Sequence, residues 1–195
     1  MKGHRDNLEI TPIGNALASA NRQGYASNDF FLFWSGPFSQ WAKYDIILDG
    51  ITFNTCEQYM MAEKAKLFND SETFKLIMST SSPERQKKLG RLVQGFDKAV
   101  WDDKARDIVY RANLAKFGQH ASLSKLLGDT GDRVIVEASP LDRVWGIGLD
   151  KKSPDAINPE CWRGTNWLGF AIQRARMQLL GINAKFRLPN DGMES

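Results

Sequence analysis

The segment NTCEQYMMAEKAKLF, Asn54–Phe68, sets a carboxylate and an ammonium where a helix would bury them. At about 100° per residue, Met60, Met61, Ala65, Leu67 and Phe68 form one apolar stripe, and Glu57 and Lys64 fall in its middle. Gln58, Glu63, Lys66 and Asn69 point elsewhere on that wheel. Each charged residue alone has an ordinary explanation. A carboxylate in a first helical turn is favoured by the macrodipole, typically by a few tenths to about 1 kcal/mol. A lysine stem covers apolar surface while its ammonium reaches water. On one buried face together, the two point to a polar pocket in the interior of the domain. At about 1.5 Å of rise per residue their α-carbons stand about 10 Å apart, which leaves room for a ligand against the helix.

A second cluster lies in SPLDRVWGIG, Ser139–Gly148, where Asp142, Arg143 and Trp145 follow a strand on a Pro- and Gly-rich loop. Loops joined to strands are where functional groups collect, although Asp142 also suits an Asx turn that bonds loop amides. Trp101 shares a helical face with Ala105, Ile108 and Ala112, the spacing of a core residue. Six tryptophans are nevertheless many for 195 residues, and several can supply flat walls for a base. The basic run PERQKKLGR, Pro83–Arg91, reads as the solvated face of a short helix, with Arg91 beside Gly90 standing apart from it.

The elements that must position these groups follow from periodicity and turn chemistry. Residues 1–28 are polar and weakly patterned and read as a loosely held arm. The folded domain is expected over 29–185, with a short tail over 186–195. FFLFW (Phe30–Trp34) and YDIILDG (Tyr44–Gly50) read as strands, and Asp49-Gly50 as a hairpin turn into ITFN. Thr55 opens a Thr-x-x-Gln pattern that closes a capping box with Gln58, so a helix runs from there to about Phe68. Further helices are predicted over Glu72–Met78, Pro83–Val93, Lys98–Phe117, Leu123–Leu127 and Arg163–Leu180, the last ended by Gly181. RVIVEAS, Arg133–Ser139, is a strand. The fold class is α+β, a mostly helical single domain around a small β-sheet.

Composition narrows the function classes. A chain of this length, 42% hydrophobic and 25% charged, builds one sizeable core. No apolar run approaches the roughly 18 residues of a membrane helix, and Met1–Ser19 lacks the pattern of a secretory leader, so the expected address is the cytoplasm. Cys56 and Cys161 make no disulfide framework, and with His4 and His120 they form no cluster at metal-ligand spacing. No metal and no cofactor is expected. A net charge of +3 leans towards a phosphorylated ligand or a nucleic acid without the strong basicity of a dedicated nucleic-acid binder.

Six blocks, FWSGPFSQW, TCEQYMMAEKAKLF, KKLGR, AVWDDKARDIVYRANLAKF, GDRVIVEASPLDRVWGIGL and WRGTNWLGFAIQRAR, occur in an order and spacing that resemble the NADAR family. Together they lie within about Phe31–Leu180. The resemblance implies a fold similar to the riboflavin-intermediate N-glycosidases, in a family that includes enzymes removing ADP-ribose from guanine bases. The family's Thr/Ser-x-Glu-[His/Gln] motif, with a lysine seven residues after the glutamate, falls on Glu57 and Lys64. Its Asp-x-x-Trp-Gly block falls on Asp142, Trp145 and Gly146, and a further block on Trp101. Ala42-Lys43-Tyr44 stand where the family pattern has an aromatic residue and a proline.

What the resemblance implies is hydrolysis of the bond between a phosphorylated ribose and a base, most simply the release of ADP-ribose from guanine. Glu57 would stabilise the oxocarbenium charge or orient water, kept ionised by its first-turn position. Asp142 would activate water or hold ribose hydroxyls, and Lys64 would polarise the leaving group or form a Schiff base with the opened sugar. Trp101 and Trp145 would stack a base, and Arg91, Arg143 or Arg163 would meet phosphates. Substrate contacts are also implied for Phe33, Trp34, Ser35, Phe38 and Ser39 of the first block, for Gly146, and for Asn166. The expected substrate is an ADP-ribosylated or phosphoribosylated small molecule or nucleic acid. Alternatives are a phosphoribosylamino-pyrimidine intermediate as substrate, a non-catalytic ADP-ribose-binding module, and a single-strand binder that stacks bases on its tryptophans.

Overall fold

Thr55 begins the helix on which three of the other helices pack. The structure, a computed structural model, describes residues 26–186 and Leu188. Thr55 Oγ1 accepts the amide N–H of Gln58 at 3.0 Å, so α1 (Cys56–Leu67) starts with one of its free donors satisfied. The reciprocal bond of a capping box lands one residue early: Gln58 Oε1 accepts the amide of Asn54 rather than that of Thr55. Gln58 Nε2 donates to the carbonyls of Ile77 and Thr80. A residue that the helical wheel turns outward is therefore buried. The single-stripe reading fails here because α1 has neighbours around it: α2 (Ser71–Met78), α3 (Pro83–Gly90) and α4 (Lys98–Gln119) all pack on it. Every residue from Cys56 to Ala62 is buried, whereas Leu67 and Phe68, at the far end of the stripe, are only half-buried.

Two further helices complete the set, α5 (Ala121–Gly128) and α6 (Trp167–Leu180). The last helix starts four residues later than the periodicity predicts, because Asn166 takes a left-handed conformation at φ 54° and the Arg163 amide is bonded to Ile147 O. Gly181, at φ 68°, ends it as expected.

The strands form two separate pairs rather than one sheet. β1 (Phe30–Phe33) lies parallel to β4 (Val134–Glu137), with Phe30 opposite Val134 and Phe33 opposite Glu137. β2 (Ile46–Leu48) and β3 (Ile51–Phe53) make an antiparallel hairpin through Asp49 and Gly50, both at positive φ. Of the strand predicted over Tyr44–Gly50, only Ile46–Leu48 pairs.

The parallel pair divides two cores. Phe33 and Ile135 face the larger cluster, which the helices build around α1, while Phe30, Val134 and Val136 face a smaller one with Ile147, Leu149 and Ile157. Covering on both faces explains why β4 reads as an unbroken Val-Ile-Val run. Helix α6 bridges the two, with Leu168 and Ile172 in the larger cluster and Phe170 in the smaller. Phe186 and Leu188, assigned by sequence to a tail, pack on the smaller cluster. The arm expected over 1–28 falls almost wholly outside the described residues; Ser27–Asp29 form a short 3-10 turn into β1. Among the described residues no helix is long and apolar enough to cross a membrane.

Candidate active site

The carboxyl ends of β1 and β4 open side by side into a cavity of about 1510 Å³, the edge of a parallel pair at which ligands are usually held. Past its last paired residue β1 gives the wall Trp34 and Ser35, and the following loop gives Ser39, Gln40 and Trp41. Helix α1 supplies Glu57, Met60, Met61 and Lys64, and the end of α3 supplies Lys87, Gly90 and Arg91. The turn into α4 adds Phe96, Lys98 and Trp101. From β4 and its loop come Glu137, Ser139, Asp142, Arg143 and Trp145, and Thr165 and Trp167 close the circuit.

Glu57 is 5% exposed. Its amide donates to Gln40 O at 3.1 Å, and the Trp41 indole donates to its carboxylate, so helix and loop meet at this residue. The loop is braced from beneath. Asn113 Nδ2 donates to Gln40 Oε1 at 2.9 Å, and the fully buried Lys116 donates to Ser39 O at 3.1 Å and Phe38 O at 3.5 Å. First-turn placement leads one to expect an ionised Glu57, but burial outweighs it. Desolvation pushes the carboxyl up to about 7, against the pull of Lys87, the Trp41 bond and Arg91, and with some push from Asp142.

Lys64 is half-buried, and its Nζ donates to Gly90 O at 2.9 Å. The ammonium sits 4.1 Å from the centre of the Phe96 ring and 5.5 Å from that of Trp101. Its partners are thus a carbonyl and two ring faces rather than Glu57, and desolvation lowers its pKa. Gly90 is needed for this approach: a Cβ there would lie 1.9 Å from Met61 Sδ.

Asp142 makes the Asx turn that its loop position allows and also lines the cavity. Oδ1 accepts the amides of Val144 and Trp145 at 2.9 and 2.7 Å, an Asx arrangement, and Oδ2 lies 3.9 Å from Lys87 Nζ. Trp145 meets Trp167 edge-on at 5.7 Å, and the Arg106 guanidinium covers the other ring system at 4.1 Å from the Trp167 centre. Trp101 packs on the larger core and lines the cavity as well.

The cavity therefore brings together Glu57, Lys64, Asp142, Trp34, Ser35, Ser39, Arg91, Trp101, Arg143 and Trp145. Five of the expected contact residues do not line the cavity. Phe33 and Phe38 belong to the core. Gly146 is buried where a Cβ would press to 2.8 Å on Glu137 O. Asn166 ties α6 to β4, its Oδ1 accepting from Glu137 N at 2.9 Å and its Nδ2 donating to Ile135 O at 3.0 Å. Arg163 packs its Cβ beside Gly148, because its segment follows the loop instead of beginning a helix. Among the wall residues that the sequence reading did not single out are Trp41, Lys87 and Glu137. Lys87 was hidden in a basic run. Glu137 closes the apolar run RVIVE as any strand-end carboxylate would, and carried no signal of its own. Burial pushes its carboxyl up to about 8, Asp142 and Glu57 add to the rise, and Lys87 opposes it. Among the described residues no group of His, Cys, Asp and Glu is arranged to hold a metal ion.

Fold and site together define an α+β pocket protein whose carboxylates and lysines are enclosed by indole rings. The chain belongs to the NADAR domain family, whose model matches residues 28–180. It is 43% identical over 144 residues to an N-glycosidase of Acanthamoeba polyphaga mimivirus, covering 71% of this chain and 85% of that one. It is 30% identical over 185 residues to the chloroplastic riboflavin biosynthesis protein PYRR of Zea mays, covering 89% of this chain but 27% of that one. The NMR structure of the Escherichia coli protein YbiA is similar, with a TM-score of 0.65 and 31% identity, covering 82% of this chain and 90% of that chain.

Proposed function

We propose that this chain hydrolyses the N-glycosidic bond between a phosphorylated ribose and a base, and that its substrate is ADP-ribose carried on guanine. The hydrolase class follows the relatives that bear the name N-glycosidase. The observation that carries the reading is the placement of Glu57 and Lys64, two turns apart on one helix, on the wall of a cavity flanked by Trp34, Trp101 and Trp145. Breaking a ribosyl N-glycosidic bond builds oxocarbenium charge, and a carboxylate in a dry site stabilises it most. Glu57 in its ionised form fills that role. Asp142 Oδ2 activates the water or holds ribose hydroxyls. Lys64, an amine with a lowered pKa, polarises the leaving group or attacks the opened sugar to form an imine. Arg91 and Arg143 meet the diphosphate, and the indoles stack adenine and guanine.

Size favours ADP-ribose over a single phosphoribosyl unit. Ligand pockets commonly span about 300–1,000 Å³, and this cavity exceeds that range, as suits two bases joined through a diphosphate. The name of the maize relative supports a second reading, cleavage of a phosphoribosylamino-pyrimidine intermediate. Incubation with each substrate separates them. Release of free ADP-ribose from the guanine adduct is the expected result, and release of ribose 5-phosphate from the pyrimidine alone selects the second reading. Tight ADP-ribose binding with no release from either makes the domain a binding module. Affinity for single strands that falls steeply with salt marks a nucleic-acid binder instead.

A further inference from the structure

We infer that Glu137 is the general acid of this site, its carboxyl delivering a proton to the departing base. The inference rests on the glycosidase reading above and adds to it a donor that transfers a proton to the base, a role that neither Glu57 as an anion nor Asp142 as a water-activating base fills.

The geometry holds Glu137 firmly and leaves its side chain uncommitted. Its amide donates to Asn166 Oδ1 at 2.9 Å and its carbonyl accepts from Ile147 N at 2.9 Å. The pairing of β4 with β1 sets it opposite Phe33, at the lip of the cavity. Oε2 is buried there without a hydrogen-bond partner. A buried carboxylate oxygen left bare is costly, whereas a carboxylic acid awaiting an acceptor is less so.

The surroundings decide which of the three carboxyls keeps a proton. Carboxyls sharing a site cannot all ionise at neutral pH. Asp142 accepts two amide N–H groups on Oδ1 and faces the Lys87 ammonium with Oδ2. Glu57 receives the Trp41 indole N–H and has both Lys87 and Arg91 in its field. The charged groups facing Glu137 are Glu57, Asp142 and Lys87, two of them acidic, and burial disfavours its anion further. Glu137 therefore holds the proton most tightly.

The step balances as follows. The bond from C1′ to the base nitrogen breaks, its electron pair stays on nitrogen, and the Glu137 proton bonds to that nitrogen. The oxygen of a water molecule bonds to C1′, and its released proton passes to the Glu57 or Asp142 carboxylate. Exchange with solvent then returns a proton to Glu137, so the net change is substrate plus water giving free base plus ADP-ribose.

Two substrates test this. One is ADP-ribosylated guanine, whose base must be protonated to leave; the other is the 4-nitrophenyl glycoside of ADP-ribose, whose phenolate leaves as a stable anion. Glu137→Gln should lower kcat/KM on the guanine substrate by about 10²- to 10⁴-fold, the usual contribution of a general acid. On the nitrophenyl substrate the loss should stay below about tenfold. The basic limb of the pH profile should also disappear. Glu137→Ala, checked like the glutamine variant by melting temperature, should give the same contrast between substrates. Equal losses on both substrates, or an undiminished rate on guanine, would overturn the assignment of Glu137 while leaving the glycosidase reading intact. A wild-type protein that releases ADP-ribose from neither substrate overturns both.

Discussion

Glu57 and Glu137 face surroundings that work against their charge, and the pH dependence of the protein follows from that. In the proposed mechanism turnover needs Glu57 ionised, so the rate should rise with pH through about 7. It needs Glu137 protonated, so the rate should fall as pH passes about 8. A narrow bell with its maximum between these values is expected for kcat/KM, its apparent pKa values belonging to the coupled pair. Glu57→Gln should cut kcat by orders of magnitude and leave ADP-ribose binding in place, as calorimetry would register. For stability the sign runs the other way from a salt-bridged carboxylate. A carboxyl whose folded pKa is raised favours the folded state fully below its unfolded value and loses that contribution as pH rises through the folded one. Glu137→Gln should therefore raise Tm near pH 9, by about 2–4 °C for each kcal/mol recovered, and leave it little changed near pH 5. Lys64→Met keeps the stem against Phe96 and should abolish turnover; borohydride added during wild-type turnover should trap a sugar phosphate on Lys64.

At the scale of elements, the site depends on how closely α3 approaches α1. Gly90 is the contact point, and its carbonyl is also the anchor of Lys64. Gly90→Ala should push the helices apart, costing about 1–3 kcal/mol by urea denaturation and raising KM as Lys64 loses its carbonyl. Much of this architecture was legible in the sequence. Thr55, the Asp49-Gly50 turn and Gly181 each announce an element end through local chemistry, and the structure places each there. What was not legible depends on partners distant in sequence. The start of α6 is set by Asn166, whose left-handed turn answers to the backbone of β4. Whether four short strands make one sheet or two pairs depends on which faces are covered, which no local pattern records. Glu57 and Lys64 could be read because a helix repeats, so a charge on its buried face stands out. Glu137 could not, because a glutamate after Val-Ile-Val looks the same at a wet strand end as at the lip of a cavity.

For the whole molecule, the wall is gathered from segments between Trp34 and Trp167, and its two strand ends pair across roughly a hundred residues of chain. The helical contacts around α1 are mostly closer in sequence and carry the smaller closure cost. On refolding from urea, helical circular dichroism should thus recover ahead of activity, and the fluorescence of Trp34 and Trp145 should follow the slower phase. The same long-range pair bears on how the gene can change length. Side chains in a strand alternate with a period of two, so deleting one codon within Val134–Val136 would turn Glu137 towards the smaller core and offer the cavity a valine or an alanine. Insertions are far better accommodated at Lys151 and Lys152, exposed and away from the wall. Descendants of this sequence can thus lengthen between Asp150 and Ser153, while the count of residues from Val134 to Asp142 stays fixed.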